Sequence, residues 1–383
     1  TVGDEISAAA LGERVFHVPN VRGTTFLELD GVTLLDSGNS SAQGGCLLAE
    51  SARVDLNNTT FDGCAASDGG GAAFVDSDVT FSGSNLTSNE ARQGGGVYAE
   101  NTVLAVTTSS VQSNSAFDGG GLFVLGDGHA VIKESLIHDN VAERAGGGAW
   151  IQMATTGIET AIHDNQAIYG GGALVFDAPF VGTQVNVFDN NASRYGGGFY
   201  GHQRAEIELD HSSLYGNWGS TGGGGIYTLS LAYLYNSTVH ENSAFYGAAV
   251  QSVGGSSFVF GNNVSIADNQ HLGFIGFAIE GPTIRLRNSI VERHFASCSP
   301  SVDSIGYVVS TDNNCLSGGA PGNLSGPANT VAQTVGTERR LVLQPGSIAI
   351  DVGNTASCES DDQRFLSRPQ GLSCDAGAYE LEN

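Results

Sequence analysis

Runs of glycine return along most of this chain at a nearly fixed interval, as in SNEARQGGGVYAE, SNSAFDGGGLFVL and DNQAIYGGGALVF. Taking the last glycine of each run, or the residue in its place, gives Gly45, Gly71, Gly96, Gly121, Gly148, Gly172, Gly198, Gly225 and Ala249. The successive intervals are 26, 25, 25, 27, 24, 26, 27 and 24. Such a period predicts a solenoid, in which each repeat buries its apolar face against the next. Glycine gives up more backbone freedom on folding than any other residue. Its return at one phase therefore marks a backbone position that other residues do not fit.

The remaining columns say which solenoid. An asparagine stands seven or eight residues before each last glycine: Asn89, Asn114, Asn140, Asn165, Asn190, Asn217 and Asn242. Three residues earlier lies an aliphatic column, Leu86, Val111, Ile137, Ile162, Val187, Leu214 and Val239. Segments such as EIELD and SFVFG alternate with period two. Short alternating strands between an asparagine turn and a glycine turn predict an all-β chain. The prediction is a single right-handed parallel β-helix of about 25 residues per coil, capped at both ends. Helical repeats need apolar spacing of 3.6 over longer segments, which is absent. Asparagine tolerates the left-handed turn, and stacked amides form an internal ladder. The expected organisation is an N-terminal cap at 1–25, with ISAAALGERVFHV as helix plus strand, then coils at 26–295. Terminal coils and a disulfide-clamped cap follow at 296–383.

Composition narrows the partners. The formal net charge is −25 and Lys133 is the only lysine, so nucleic acid and anionic lipid are disfavoured. No run of 18 apolar residues exists to span a membrane. The chain begins without Met, as a processed form does, and shows no signal-peptide pattern. Six cysteines fall in local pairs without CxxC spacing: Cys46 and Cys64, Cys298 and Cys315, Cys358 and Cys374. They read as three short-loop disulfides rather than zinc ligands, which places the protein outside the cytoplasm or at the cell surface.

Two stretches resemble known groups. Gly171-Gly172-Ala173-Leu174 with Phe188-Asp189-Asn190 is similar to the GGA[IL] and FxxN repeats of chlamydial polymorphic membrane proteins. Pro345 to Glu380, PGSIAIDVGNTASCESDDQRFLSRPQGLSCDAGAYE, resembles the end of bacterial surface β-helix proteins with a choice-of-anchor region. In that group proline is usual where Ile348 stands here, and glycine where Phe365 stands. The resemblance implies a β-helix and export, and says little about chemistry.

Three features bear on function. The first is catalysis. Inverting pectin hydrolases show an NTD…DD…GH…RxK pattern with paired aspartates as acid and base. Here Asp361-Asp362 lies in the tail, Gly201-His202 precedes it, and neither NTD nor RxK exists. A β-eliminating lyase needs a basic residue beside calcium-binding carboxylates, and Lys133, Arg204 and Arg285 lack such a setting.

The second is an acidic column, Asp139, Asp164 and Asp189, read as a solvated corner or as a calcium ladder. The third is the residue two places after each glycine turn: Tyr98, Phe123, Trp150, Leu174, Tyr200 and Tyr227. Alternation turns this aromatic stripe outward. It is then covered by another part of the chain, or joins copies or a partner, or stacks on sugar rings. The sequence thus favours a non-enzymatic extracellular or cell-surface scaffold for adhesion, polysaccharide binding or self-assembly, with no cofactor beyond possible calcium. A secreted polysaccharide lyase or hydrolase is the alternative.

Overall fold

A computed structural model describes residues 5–7, 14–19, 25–35, 38–273, 276–294, 296–299, 302–317 and 319–382. The helix expected near residues 8–13 lies outside the described residues. The chain divides into two compact units, Thr1–Phe180 and Val181–Asn383.

The first unit is a parallel β-helix. Strand Asn85–Thr87 pairs in parallel with Thr60–Asp62 and with Ser110–Gln112, which stacks Leu86 between Phe61 and Val111. After the asparagine turn, Glu90–Gln93 pairs with Ser115–Asp118. After the glycine turn, Val97–Glu100 pairs with Ala72–Val75 and with the start of Leu122–Lys133. Phe61, Leu86, Val111, Ile137 and Ile162 line the core from one sheet, and Ala72, Val97, Leu122, Ala149 and Ala173 from another. At the N-terminal end Phe16–Val18 adds to Leu47–Glu50, placing the expected cap strand in the sheet.

The asparagine column forms the predicted ladder. Asn89 Nδ2 donates to Asn114 Oδ1 at 2.9 Å, Asn114 to Asn140 at 3.0 Å, and Asn140 to Asn165 at 3.0 Å. Each oxygen also accepts the backbone N–H of the preceding asparagine, and each amide donates to a carbonyl in the core strand, as Asn114 does to Leu86. Every buried polar atom thus finds a partner, which a buried amide requires. A second ladder uses hydroxyls: the backbone N–H groups of Thr59, Ser84 and Ser109 donate to Ser84, Ser109 and Ser135.

The glycine phase needs one correction. Leu47 pairs with Ala72, and Cys46 N–H donates to Gly71, so Cys46 and not Gly45 occupies the third glycine position. A Cβ at Gly71 would point at the Asn89 amide, 3.3 Å away. Cys46 uses that direction to reach Cys64, which stands where the other coils have asparagine, and the two form a disulfide. The end coil therefore replaces a glycine–asparagine contact with a covalent bond.

The second unit repeats the plan. Its ladder runs Asn190, Asn217, Asn242 and Asn269, with side-chain bonds of 2.9 to 3.0 Å. His294 ends it by accepting the Asn269 N–H at 3.2 Å. An antiparallel hairpin, Thr330–Val335 with Glu338–Leu343, folds back on the coils. There Tyr215 Oη donates to the Thr337 carbonyl at 2.8 Å, and Arg339 pairs with Glu241. The following tail docks by buried charge: Arg368 and Glu380 meet at 3.0 Å, each 1 % exposed. Gln363 reaches Ser212 and Ser213 of the coils. Phe365 adopts φ 65°, the left-handed geometry for which glycine is usual, and stacks on His211 at 4.0 Å. Cys298–Cys315 and Cys358–Cys374 are both bridged.

Candidate functional site

The aromatic column points away from the main core, as alternation requires, yet it is not an open surface. Tyr98 is 6 % exposed, Phe123 4 %, Leu174 4 % and Tyr227 8 %, with Trp150 and Tyr200 half-buried. The reason is local. The first glycine of each run turns the chain with positive φ and stands under the stripe: a Cβ at Gly119 would lie 3.1 Å from Phe123 Cβ. Rings then stack coil on coil, Tyr98 on Phe123 at 5.8 Å and Phe123 on Trp150 at 5.4 Å. Leu48, Ala73, Tyr98 and Phe123 make a second apolar cluster outside the helix core. Burial, the Glu100 hydrogen bond and nearby carboxylates together push the Tyr98 phenol far above its usual range. In the second unit Tyr227 packs on Tyr195 at 4.6 Å and on Tyr200 at 5.2 Å.

The adjoining face of the first unit is open. It carries Phe117 and Val141, 42 % and 44 % exposed, beside a recess of about 240 Å³ lined also by Glu90, Ser115 and Glu143. Strand Val141–Ala145 holds one residue more than its neighbour, since Ala116 pairs with Ala142 but Asp118 with Ala145. That bulge supplies Arg144. Its guanidinium lies 5.0 Å from the Phe117 ring and 5.6 Å from the Trp150 ring, bridging the open face and the buried stripe. Asp118, almost fully buried, holds it by two hydrogen bonds. Burial pulls against the Arg144 charge, but the Asp118 hydrogen bond outweighs it and the net shift is upward. Phe117 is thus an exposed ring on a fixed support.

Among solved structures, the chain is similar to the crystal structure of pectate lyase Pel9A. The TM-score is 0.53 and the identity 14 %, over 87 % of this chain and 88 % of that one. The shared feature is the parallel β-helix. No family model matches the chain, and no curated protein matches it in sequence. The resemblances to polymorphic membrane proteins and to choice-of-anchor proteins rest on the residues quoted for them.

The other predicted sites fall as follows. Asp139 and Asp164 sit at left-handed turn positions and are exposed, as is Asp189's φ of 53° in the second unit a turn geometry. Each of the first two carboxylates is turned to the histidine before it, at 2.6 Å for His138 and 2.8 Å for His163. Those two rings stack at 4.9 Å. Among the described residues no group of three or more His, Cys, Asp or Glu side chains is arranged to hold a metal ion. Asp361 and Asp362 belong to the docked tail, where Asp362 is fully buried and bonded to Arg364. Lys133 pairs with Glu134 at 3.1 Å, and Arg285 lies over Phe258.

The sequence reading passed over Phe117, Asp118, Arg144, Glu90 and Glu143. One signal was present: the interval from Gly121 to Gly148 is 27. It contains two single-residue insertions, one between Leu125 and His129 and one that places Arg144.

Proposed function

We propose that this protein is an extracellular β-helix that binds polysaccharide without cutting it, with the Phe117 face as the binding surface. The observation that carries this reading is the exposed Phe117 ring, held by Arg144 at 5.0 Å beside a polar-rimmed recess. A rigid aromatic face offers large contact area to the C–H face of a sugar at little entropic cost, and flanking polar groups orient it. Parallel coils extend that surface along the stack, which suits a polymeric ligand.

Other observations lean the same way. A solved structure of similar fold is named a pectate lyase, a protein that acts on a polysaccharide. Three disulfides suit an oxidising, extracytoplasmic setting, and the tail resembles surface proteins. No helix among the described residues is long and apolar enough to cross a membrane. The lyase alternative rests on fold, which does not carry chemistry by itself. Many of the cations it would need are engaged structurally: Arg144 by Asp118, Arg293 by Asp268, Arg339 by Glu241 and Arg368 by Glu380.

The test is a glycan array followed by calorimetry on wild type and Phe117→Ala, with lyase and hydrolase assays run beside it, with and without calcium. Binding without product release, weakened at least tenfold in the variant, is the expected result. Product release makes it an enzyme, and no binding to any glycan removes the reading.

A further inference from the structure

We infer that the saccharide taken at the Phe117 recess is a polymer of amino sugars bearing free ammonium groups, and not a polyuronate. This rests on the polysaccharide-binding reading above and adds the charge of the ligand. The recess has two carboxylates at its edges and no available cation. Glu90 is in register with Ser115, and Ser115 with Val141, so Glu90 and the Val141 strand that bears Glu143 are two coils apart, about 10 Å.

Both carboxylates are exposed, and neither forms an ion pair among the described residues. The basic groups closest in the fold are committed elsewhere. Arg144 is bound by Asp118 and spread over two rings, and Arg92 lies 4.0 Å from Asp68. The site therefore presents an aromatic platform flanked by unpaired negative charge, on a chain of net charge −25. An ammonium-bearing sugar seats its C–H face on the ring and places its charge against Glu90 or Glu143. A polyuronate brings like charge to the same place, which opposes both encounter and binding.

The experiment is calorimetry with a glucosamine hexamer, its N-acetylated counterpart, and an oligogalacturonate of equal length with and without calcium. The expected result is at least tenfold tighter binding of the amine than of the N-acetylated form. The double substitution Glu90→Gln/Glu143→Gln removes that advantage. Substituting two exposed acids away from the recess, Asp127→Asn/Glu159→Gln, leaves it intact, with melting curves confirming that both variants fold.

Equal affinity for amine and N-acetylated forms overturns the inference, as does an equal loss in the distant control pair. Tighter binding of oligogalacturonate, with or without calcium, also overturns it. Binding of a neutral or acidic glycan that is lost in Phe117→Ala leaves the face standing and removes only the charge assignment. Silence across all these sugars removes both.

Discussion

Arg144 donates its Nε–H to Asp118 Oδ1 at 2.7 Å, and the carboxylate it meets is almost completely buried. The pair joins a bulge on one coil to the strand of the coil before it. It also sets the height of Phe117 above the surface. Replacing Arg144 with alanine strands a buried acceptor, at a cost of about 1–3 kcal/mol. Arg144→Lys restores part of this, because one donor remains while the planar fork is lost. Urea unfolding of the three proteins checks the order wild type, lysine, alanine.

The glycines of one run are not equivalent to glycines elsewhere. A Cβ at Gly120 would lie 2.4 Å from the Gly147 carbonyl oxygen and 2.7 Å from the Val141 backbone, neither of which can move aside. Gly336 has φ 62° but nothing within 4 Å. We expect Gly120→Ala to cost on the order of 4 kcal/mol or to abolish folding. Gly336→Ala meets only the left-handed strain, about 1 kcal/mol. Thermal melts of the pair separate crowding from dihedral strain.

The Cys46–Cys64 bond stands in place of a glycine and an asparagine, with 18 residues between its ends. Loss of one cysteine costs about 3 kcal/mol by the loop-entropy argument. The double substitution Cys46→Gly/Cys64→Asn supplies the residues used by the other coils and extends the amide ladder by one rung. It is expected to recover part of the loss. Hydrogen exchange at Leu47–Glu50 then becomes indifferent to reductant, whereas the wild type exchanges faster when reduced.

The docked tail should hold better at mildly acidic than at alkaline pH. Burial pulls the His211 ring down, but Asp210 at 2.8 Å and Asp361 at 3.2 Å outweigh it and the net shift is upward. Burial likewise raises the Asp375 carboxyl, to about 6. For a group raised on folding, the stabilisation is complete below its unfolded value, near 6.5 for histidine and 3.9 for aspartate. It is lost as pH rises through the folded value. Proteolysis within 345–382 is therefore expected to quicken between pH 5.5 and 8. His211→Gln should flatten the part of that rise above pH 6.5, and a profile unchanged by the substitution would reject His211 as its source.

The coil was readable because its constraints recur. Asn89, Asn114, Asn140 and Asn165 meet one requirement, a left-handed-tolerant turn with a ladder amide, so they share a phase. Cys46 was misphased because a disulfide and a glycine solve that corner differently. The outward direction of Tyr98 and Phe123 followed from alternation, but their burial did not. Their cover comes from stacking between coils and from side chains of varied type across the glycine corner, such as Asp68 and Asp118. The tail was recognisable as a unit by its motif, yet not its seat: Gln363 bonds to Ser213 across 150 residues of sequence. No local pattern encodes such a contact.

The ladder has a consequence for how such a chain changes length. Asn89, Asn114 and Asn140 make the same bonds to their neighbours, at 2.9 and 3.0 Å. Excising the segment from one asparagine to the next therefore joins a donor to an acceptor of the kind it lost. Duplication of that segment does the same. Whole coils are thus interchangeable modules for recombination, whereas a partial coil displaces every rung beyond it.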